Sequence, residues 1–133
     1  MNDAVTDTHG LIWYLENSPR LGEKAGELFD ACDQGKSLIY VPTICLIEIV
    51  YLQEKGRIPP NLKKHFDNEL EKGETGLVVV DLTVEVVKAL SKVPREVVPE
   101  LPDRIIAATA LYLGLPLISR DRAIQQAGIE VVW

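Results

Sequence analysis

The sequence predicts an α/β fold, a three-layer α/β/α sandwich with a mainly parallel central sheet. Three observations lead there. Short apolar runs alternate with helical patterns in the order β-α-α-β-α-α-β-α-α-β-α-β. The strand-like runs are apolar at nearly every position, as in strands covered by helices on both faces. The chain has 133 residues, 47% hydrophobic and 26% charged, which suits a globular chain folded as one domain over residues 1–133.

The elements follow in order along the chain. "AVTD" (4–7) is a brief strand, and in "THGLIWYLEN" the residues Leu11, Ile12 and Leu15 share a helical face. "SPRLGEKAGELFDACDQG" offers a Ser-Pro start and a helix closed by Gly35. "SLIYV" (37–41) reads as the second strand, and Pro42 leads into a helix from about 43 to 54 that ends near Gly56. "PPNLKKHFDNELEKG" is a helix with proline at its start and glycine at its end. "GLVVVDL" is the clearest strand, followed by the helix "TVEVVKALSKV" and the proline-punctuated loop "PREVVPELP". "DRIIAATALYLG" is a helix, "LPLIS" a strand, "DRAIQQAG" a short helix and "IEVVW" the last strand.

Several classes are disfavoured. No apolar run approaches the roughly 20 residues needed to span a bilayer, so no membrane is expected. "MNDAVTD" lacks a basic and then apolar leader, and Cys32 and Cys45 form neither a metal-like pair nor a disulfide framework. A cytoplasmic protein with reduced cysteines is expected. The net charge of −6 argues against broad binding to nucleic acid through many basic contacts. It leaves room for a nuclease, because bound cations offset a local cluster of carboxylates. The chain has no GxGxxG and no GxxxxGK[ST], and no cysteine nucleophile with a histidine partner. His65 sits in the polar helix and reads as solvated, while Trp13 and Tyr14 read as core or interface residues.

Four acidic residues carry the chemistry. Asp7 closes the first strand and opens the first helix, where an N-cap accounts for it. Asp103 opens "DRIIAATALYL", where a carboxylate suits the helix dipole, and Asp121 has the same excuse in "SRDRA". Glu48 has none. It is the only charged residue of "PTICLIEIVYL", which reads as a helix buried almost all round, and burying an unpaired charge costs several kcal/mol.

In a parallel sheet, Asp7 and Asp121 lie just past the carboxyl ends of their strands, where ligand crevices form. Glu48 lies about one turn into its helix, near the same edge, whereas the sheet rule leaves Asp103 unplaced. Carboxylates gathered without lysines repel one another unless a divalent cation lies between them. Hard oxygen ligands suit Mg²⁺ or Mn²⁺, one or two ions, which can activate water for phosphodiester hydrolysis. His9 lies near Asp7 and is either a site neighbour or structural. Arg104, Arg120 and Arg122 flank the last two acids, either as contacts to substrate phosphates or as surface residues paired with the acids.

Together, "AVTDTHGLIWYL", "TICLIEIVYL", "LPDRIIAATALYLGLPLISRD" and "GIEVVW" resemble PIN-domain proteins over essentially the whole chain. The pattern is most similar to VapC-like toxins of type II toxin–antitoxin systems. The resemblance implies an Mg²⁺- or Mn²⁺-dependent endoribonuclease acting on RNA, with Asp7, Glu48, Asp103 and Asp121 as catalytic and metal-binding acids. Ser119 matches a small hydroxyl residue just ahead of the family's last acid. Family members of this kind often form homodimers and are silenced by a cognate antitoxin that wraps over the active-site groove. Glu100 stands where relatives often carry an upstream aspartate, so its help at the metal site is an open point. Two alternatives stand beside this reading. One is a catalytically inactive PIN-like module that binds RNA or a partner, and the other is a structure-specific DNA nuclease with the same type of site.

Overall fold

A computed structural model describes residues 2–133, so Met1 of the expected domain lies outside the described residues. Five strands form one sheet: β1 (Ala4–Thr6), β2 (Ile39–Pro42), β3 (Leu77–Val80), β4 (Leu117–Ile118) and β5 (Val131–Val132). Six α-helices connect them: α1 (Thr8–Leu15), α2 (Glu23–Asp33), α3 (Thr43–Glu54), α4 (Leu62–Lys72), α5 (Val84–Leu90) and α6 (Leu101–Leu113). A 3₁₀ helix, Arg122–Ala127, lies between β4 and β5. The element order is the expected one, and the α/β/α architecture is observed.

The sheet runs β3-β2-β1-β4-β5, and every neighbouring pair is parallel. Val5 of the central strand aligns with Tyr40 on one side and Leu117 on the other. Right-handed crossovers, the rule for parallel strands, send α1–α4 to one face and α5 and α6 to the other. The order reverses at β1, whose neighbours β2 and β4 are reached in opposite directions. That reversal opens a crevice beyond the carboxyl ends of β1 and β4.

The core is mainly apolar, with Phe29, Phe66, Ile39, Ile49, Ile106 and Leu117 all buried. Local signals set the element ends. Thr83 caps α5 by accepting the Val86 N–H at 3.4 Å. Gly114 adopts φ 68°, ends α6 in the left-handed region and turns the chain into β4. No helix among the described residues is long and apolar enough to cross a membrane.

The structure corrects three local expectations. The strands are shorter than their apolar runs: β4 holds two residues although "LPLIS" spans five. The segment "DRAIQQA" winds as 3₁₀ rather than α. Helix α3 is not buried almost all round. Cys45 and Ile49 face the core, whereas Ile47 and Tyr51 are 53% and 60% exposed. A run of apolar residues reads the same in a helix sunk in a core and in one whose outer face is held for an interface.

Candidate active site

The end of β1 places the first acid. The Asp7 N–H donates to the Ile118 carbonyl at 3.1 Å, extending the β1–β4 ladder past Thr6. The side chain of Asp7 then caps α1, its Oδ1 accepting the Gly10 N–H at 2.7 Å. Gly10 permits this approach. A Cβ there would stand 2.8 Å from Thr6 Oγ1 and 3.0 Å from Asp7 Oδ1, so any larger residue displaces the carboxylate or the helix.

The last acid arrives on the neighbouring strand. The Ser119 N–H donates to the Val132 carbonyl, and its hydroxyl accepts the Asp121 N–H at 3.0 Å, folding the chain back over the strand end. Asp121 caps the 3₁₀ helix through Ala123 N–H at 3.1 Å. Asp103, the residue left unplaced by the strand rule, is set by the helix that feeds β4. In a parallel sheet that helix runs antiparallel to the strands, so its N-terminus returns to their carboxyl edge. Helix α6 begins at Leu101, two residues before the expected start, and Asp103 lies in its first turn.

Asp7, Asp103 and Asp121 line one cavity of about 240 Å³, together with His9, Ser119 and Arg120. Glu48 stands beside it on α3 and accepts the hydroxyl of the buried Thr8 at 2.5 Å. Thr8, which sequence reasoning did not single out, thus holds the Glu48 carboxylate. The available signal was its place directly after Asp7, on the first turn of α1, but its partner lies 40 residues away.

The electrostatics show how closely the acids crowd. Burial pushes the Asp7 carboxyl up to about 6, opposed by the Gly10 N–H, His9 and the Ser119 hydroxyl, with Asp103 raising it further. Asp103 is also raised, first by burial and then by the charges of Glu48, Asp121 and Glu100. Cys45 lies beneath this cluster. Its thiol is pushed strongly up by burial and by Asp7, Glu48 and Asp103, so it is an inert small hydrophobe that donates to the Thr6 carbonyl. Glu100 thus belongs to the electrostatic surroundings of Asp103, though it does not line the cavity.

The arginines part company. Arg120 lines the acid cavity. Arg122 instead lines a separate cleft with Glu23, Lys24 and Glu130. Arg104 departs from the phosphate-contact expectation because its guanidinium is engaged elsewhere. Its Nε donates to the Val93 carbonyl at 2.8 Å and its Nη2 to the Leu90 carbonyl at 3.1 Å, latching α6 to the end of α5. Neither does any arginine pair with the acids: the salt bridges among the described residues are Lys63–Asp67 and Lys72–Glu69, both on α4.

The donor set fits a hard divalent cation. It offers carboxylate oxygens, partly desolvated and with no salt bridge to them among the described residues, and a doubly charged ion supplies the charge they lack. Among the described residues, no three acid, histidine or cysteine side chains form a ready-made ion cage.

Comparison with curated protein sequences gives no match. Several solved structures share the fold. A VapBC2 complex from Rickettsia felis bound to a promoter DNA fragment aligns over 98% of this chain and 97% of that chain, at 12% identity and a TM-score of 0.72. A DNA-bound VapBC from Salmonella typhimurium aligns over 99% of this chain and 98% of that chain, at 20% identity and a TM-score of 0.67. A toxin–antitoxin complex from Klebsiella pneumoniae aligns over 98% and 96%, at 22% identity and a TM-score of 0.60. The family model described as the PIN domain matches residues 4–130, nearly the full length, and the chain belongs to the PIN domain family.

Proposed function

We propose that the chain is a single-domain, metal-dependent endoribonuclease and the toxin of a type II toxin–antitoxin pair. One observation carries the reading: Asp7, Asp103 and Asp121 line one cavity at the sheet's switch point, with Glu48 close enough to act on Asp103 and no salt bridge to any of them among the described residues. Asp7, Glu48, Asp103 and Asp121 would hold one or two Mg²⁺ or Mn²⁺ ions. When bound, such ions supply a polarised water and neutralise charge developing at a phosphodiester.

The chain's own residues prepare the site. Gly10 fixes Asp7 Oδ1 through its N–H and leaves Oδ2 without a backbone donor. Thr8 holds Glu48 Oε1, which orients the carboxylate and prevents it from swinging into solvent. Ser119 holds the turn that presents Asp121. The apolar residues Ile106, Leu117 and Ile124 line the rest of the cavity and limit its water.

The partners follow from the same reading. The structural neighbours are toxin–antitoxin complexes, which supports a cognate antitoxin for this chain. The exposed apolar residues of α3, α5 and α6 support a homodimer. Incubation of the purified protein with RNA and with single-stranded DNA, in Mg²⁺ or Mn²⁺, tests the activity. Metal-dependent cleavage of RNA that Asp7→Asn abolishes is the expected result. The reading fails if wild type cuts no RNA, or if Asp7→Asn cuts as well as wild type.

A further inference from the structure

The acid cavity has lining residues that metal binding does not explain. Besides the carboxylates it is lined by Ile106, Leu117, Ile124 and Trp133, and by Arg120. Ion binding needs only the oxygen donors. An apolar wall carrying an indole ring suits a flat aromatic ligand group.

Arg120 is unusual among the site's basic residues. It is exposed, neighbours Asp121 in sequence, and forms no salt bridge among the described residues. Its guanidinium carbon lies 4.5 Å from the centre of the Trp13 ring and 6.0 Å from that of Trp133. The two indoles meet edge to face at 5.7 Å. The buried Trp13 is thus a fixed plate, packed against His9 at 5.4 Å, over which the guanidinium lies. Trp133 is anchored in turn, its main-chain oxygen accepting the Lys24 N–H at 3.1 Å and its ring packed close to Gly22.

Stacking on an aromatic plate restrains the arginine's long side chain while leaving its N–H fork free. A restrained, unpaired guanidinium at the rim of an acidic crevice attracts an anion that the carboxylates alone repel. We propose that Arg120, held over Trp13, is the strand clamp of this site: it takes a backbone phosphate beside the scissile one, and an unpaired base stacks on Trp133. The inference rests on the ribonuclease reading and assigns the residues that hold the strand. A base and its phosphate must both be accessible, so a single-stranded substrate is implied.

Trp13 and Trp133 are the chain's two tryptophans, so fluorescence excited selectively in tryptophan, apart from the four tyrosines, reports on this cluster alone. The experiment titrates the cleavage-deficient Asp7→Asn protein, in Mg²⁺, with a short single-stranded RNA of mixed sequence. Tryptophan emission is expected to quench on binding. Adding Arg120→Gln weakens affinity about tenfold and lowers the log–log salt slope by about one. Arg120→Lys restores less than half of the loss, because an ammonium cannot lie flat on the indole. Trp133→Leu weakens affinity by a similar factor.

In the otherwise wild-type chain, Mn²⁺ raises Tm equally with and without Arg120→Gln, which shows that the acids are undisturbed. If Arg120→Gln leaves affinity and salt slope unchanged while wild type still cuts RNA, the clamp is overturned and the ribonuclease reading stands. A loss of the Mn²⁺ response in Arg120→Gln also overturns it, since Arg120 would then be arranging the acids. If Asp7→Asn binds no RNA and wild type cuts none, both fall together.

Discussion

Asp7 meets two opposing demands. Its place at the β1–β4 junction buries a carboxylate, and the single Gly10 N–H does not offset that burial. The carboxyl therefore rises from 3.8 to about 6. A raised folded-state value means that the native protein holds this proton more tightly than the unfolded chain does. The resulting stability is full below about pH 4 and is lost as pH climbs through 6. In metal-free protein, Asp7→Asn should thus become increasingly stabilising relative to wild type between pH 4 and pH 6, then level off. At about 1.4 kcal/mol per unit, the plateau lies at no more than about 3 kcal/mol. Calorimetry in EDTA across this range checks it, and a wild-type-minus-variant difference in Tm that does not change with pH contradicts it. Divalent metal reverses the ordering, because the ion stabilises only the ionised carboxylate of wild type.

Among the secondary-structure elements, the order was easiest to read and the strand ends hardest. Valine-rich runs such as "LVVV" in β3 declare themselves by β-branched composition, although β3 is a half-buried edge strand, and the element order follows from their spacing. The acids were legible in unequal degrees. Asp7 and Asp121 follow from strand ends, and Glu48 from its charge in an apolar helix. Asp103 needed the fact that α6 runs back toward the carboxyl edge. Thr8 and Arg104 act through partners distant in sequence, and no local pattern announces such pairings. Arg104 shows the consequence. Beside an acid it resembles a phosphate contact, yet its two bonds to Leu90 and Val93 make it the latch between α6 and α5. Arg104→Met should cost about 1.5–3 kcal/mol in urea unfolding, the range for hydrogen bonds to charged groups, while RNA affinity in the Asp7→Asn background stays within about twofold. A large loss of affinity without a loss of stability would return Arg104 to the substrate.

At the scale of the whole molecule, the acids and the exposed apolar surface share the same helices. Glu48 reaches the site from α3, whose outer side carries Ile47, Val50 and Tyr51. Asp103 reaches it from α6, which exposes Leu101 and Tyr112, and α6 packs on α5, where Val84 and Val87 are exposed. A folded chain seldom leaves this many large apolar side chains uncovered unless they meet a partner. A second copy covering them would dock beside the acid cavity and stiffen the helices that carry two of the four acids. Wild type should therefore sediment as a dimer in analytical ultracentrifugation. Ile47→Glu combined with Tyr51→Glu, at positions 53% and 60% exposed, should give a folded monomer that keeps its Mn²⁺-dependent rise in Tm. Cleavage by that monomer should fall, since α3 then loses the support that steadies Glu48. If wild type sediments as a monomer, the covering of this face by a second copy is overturned.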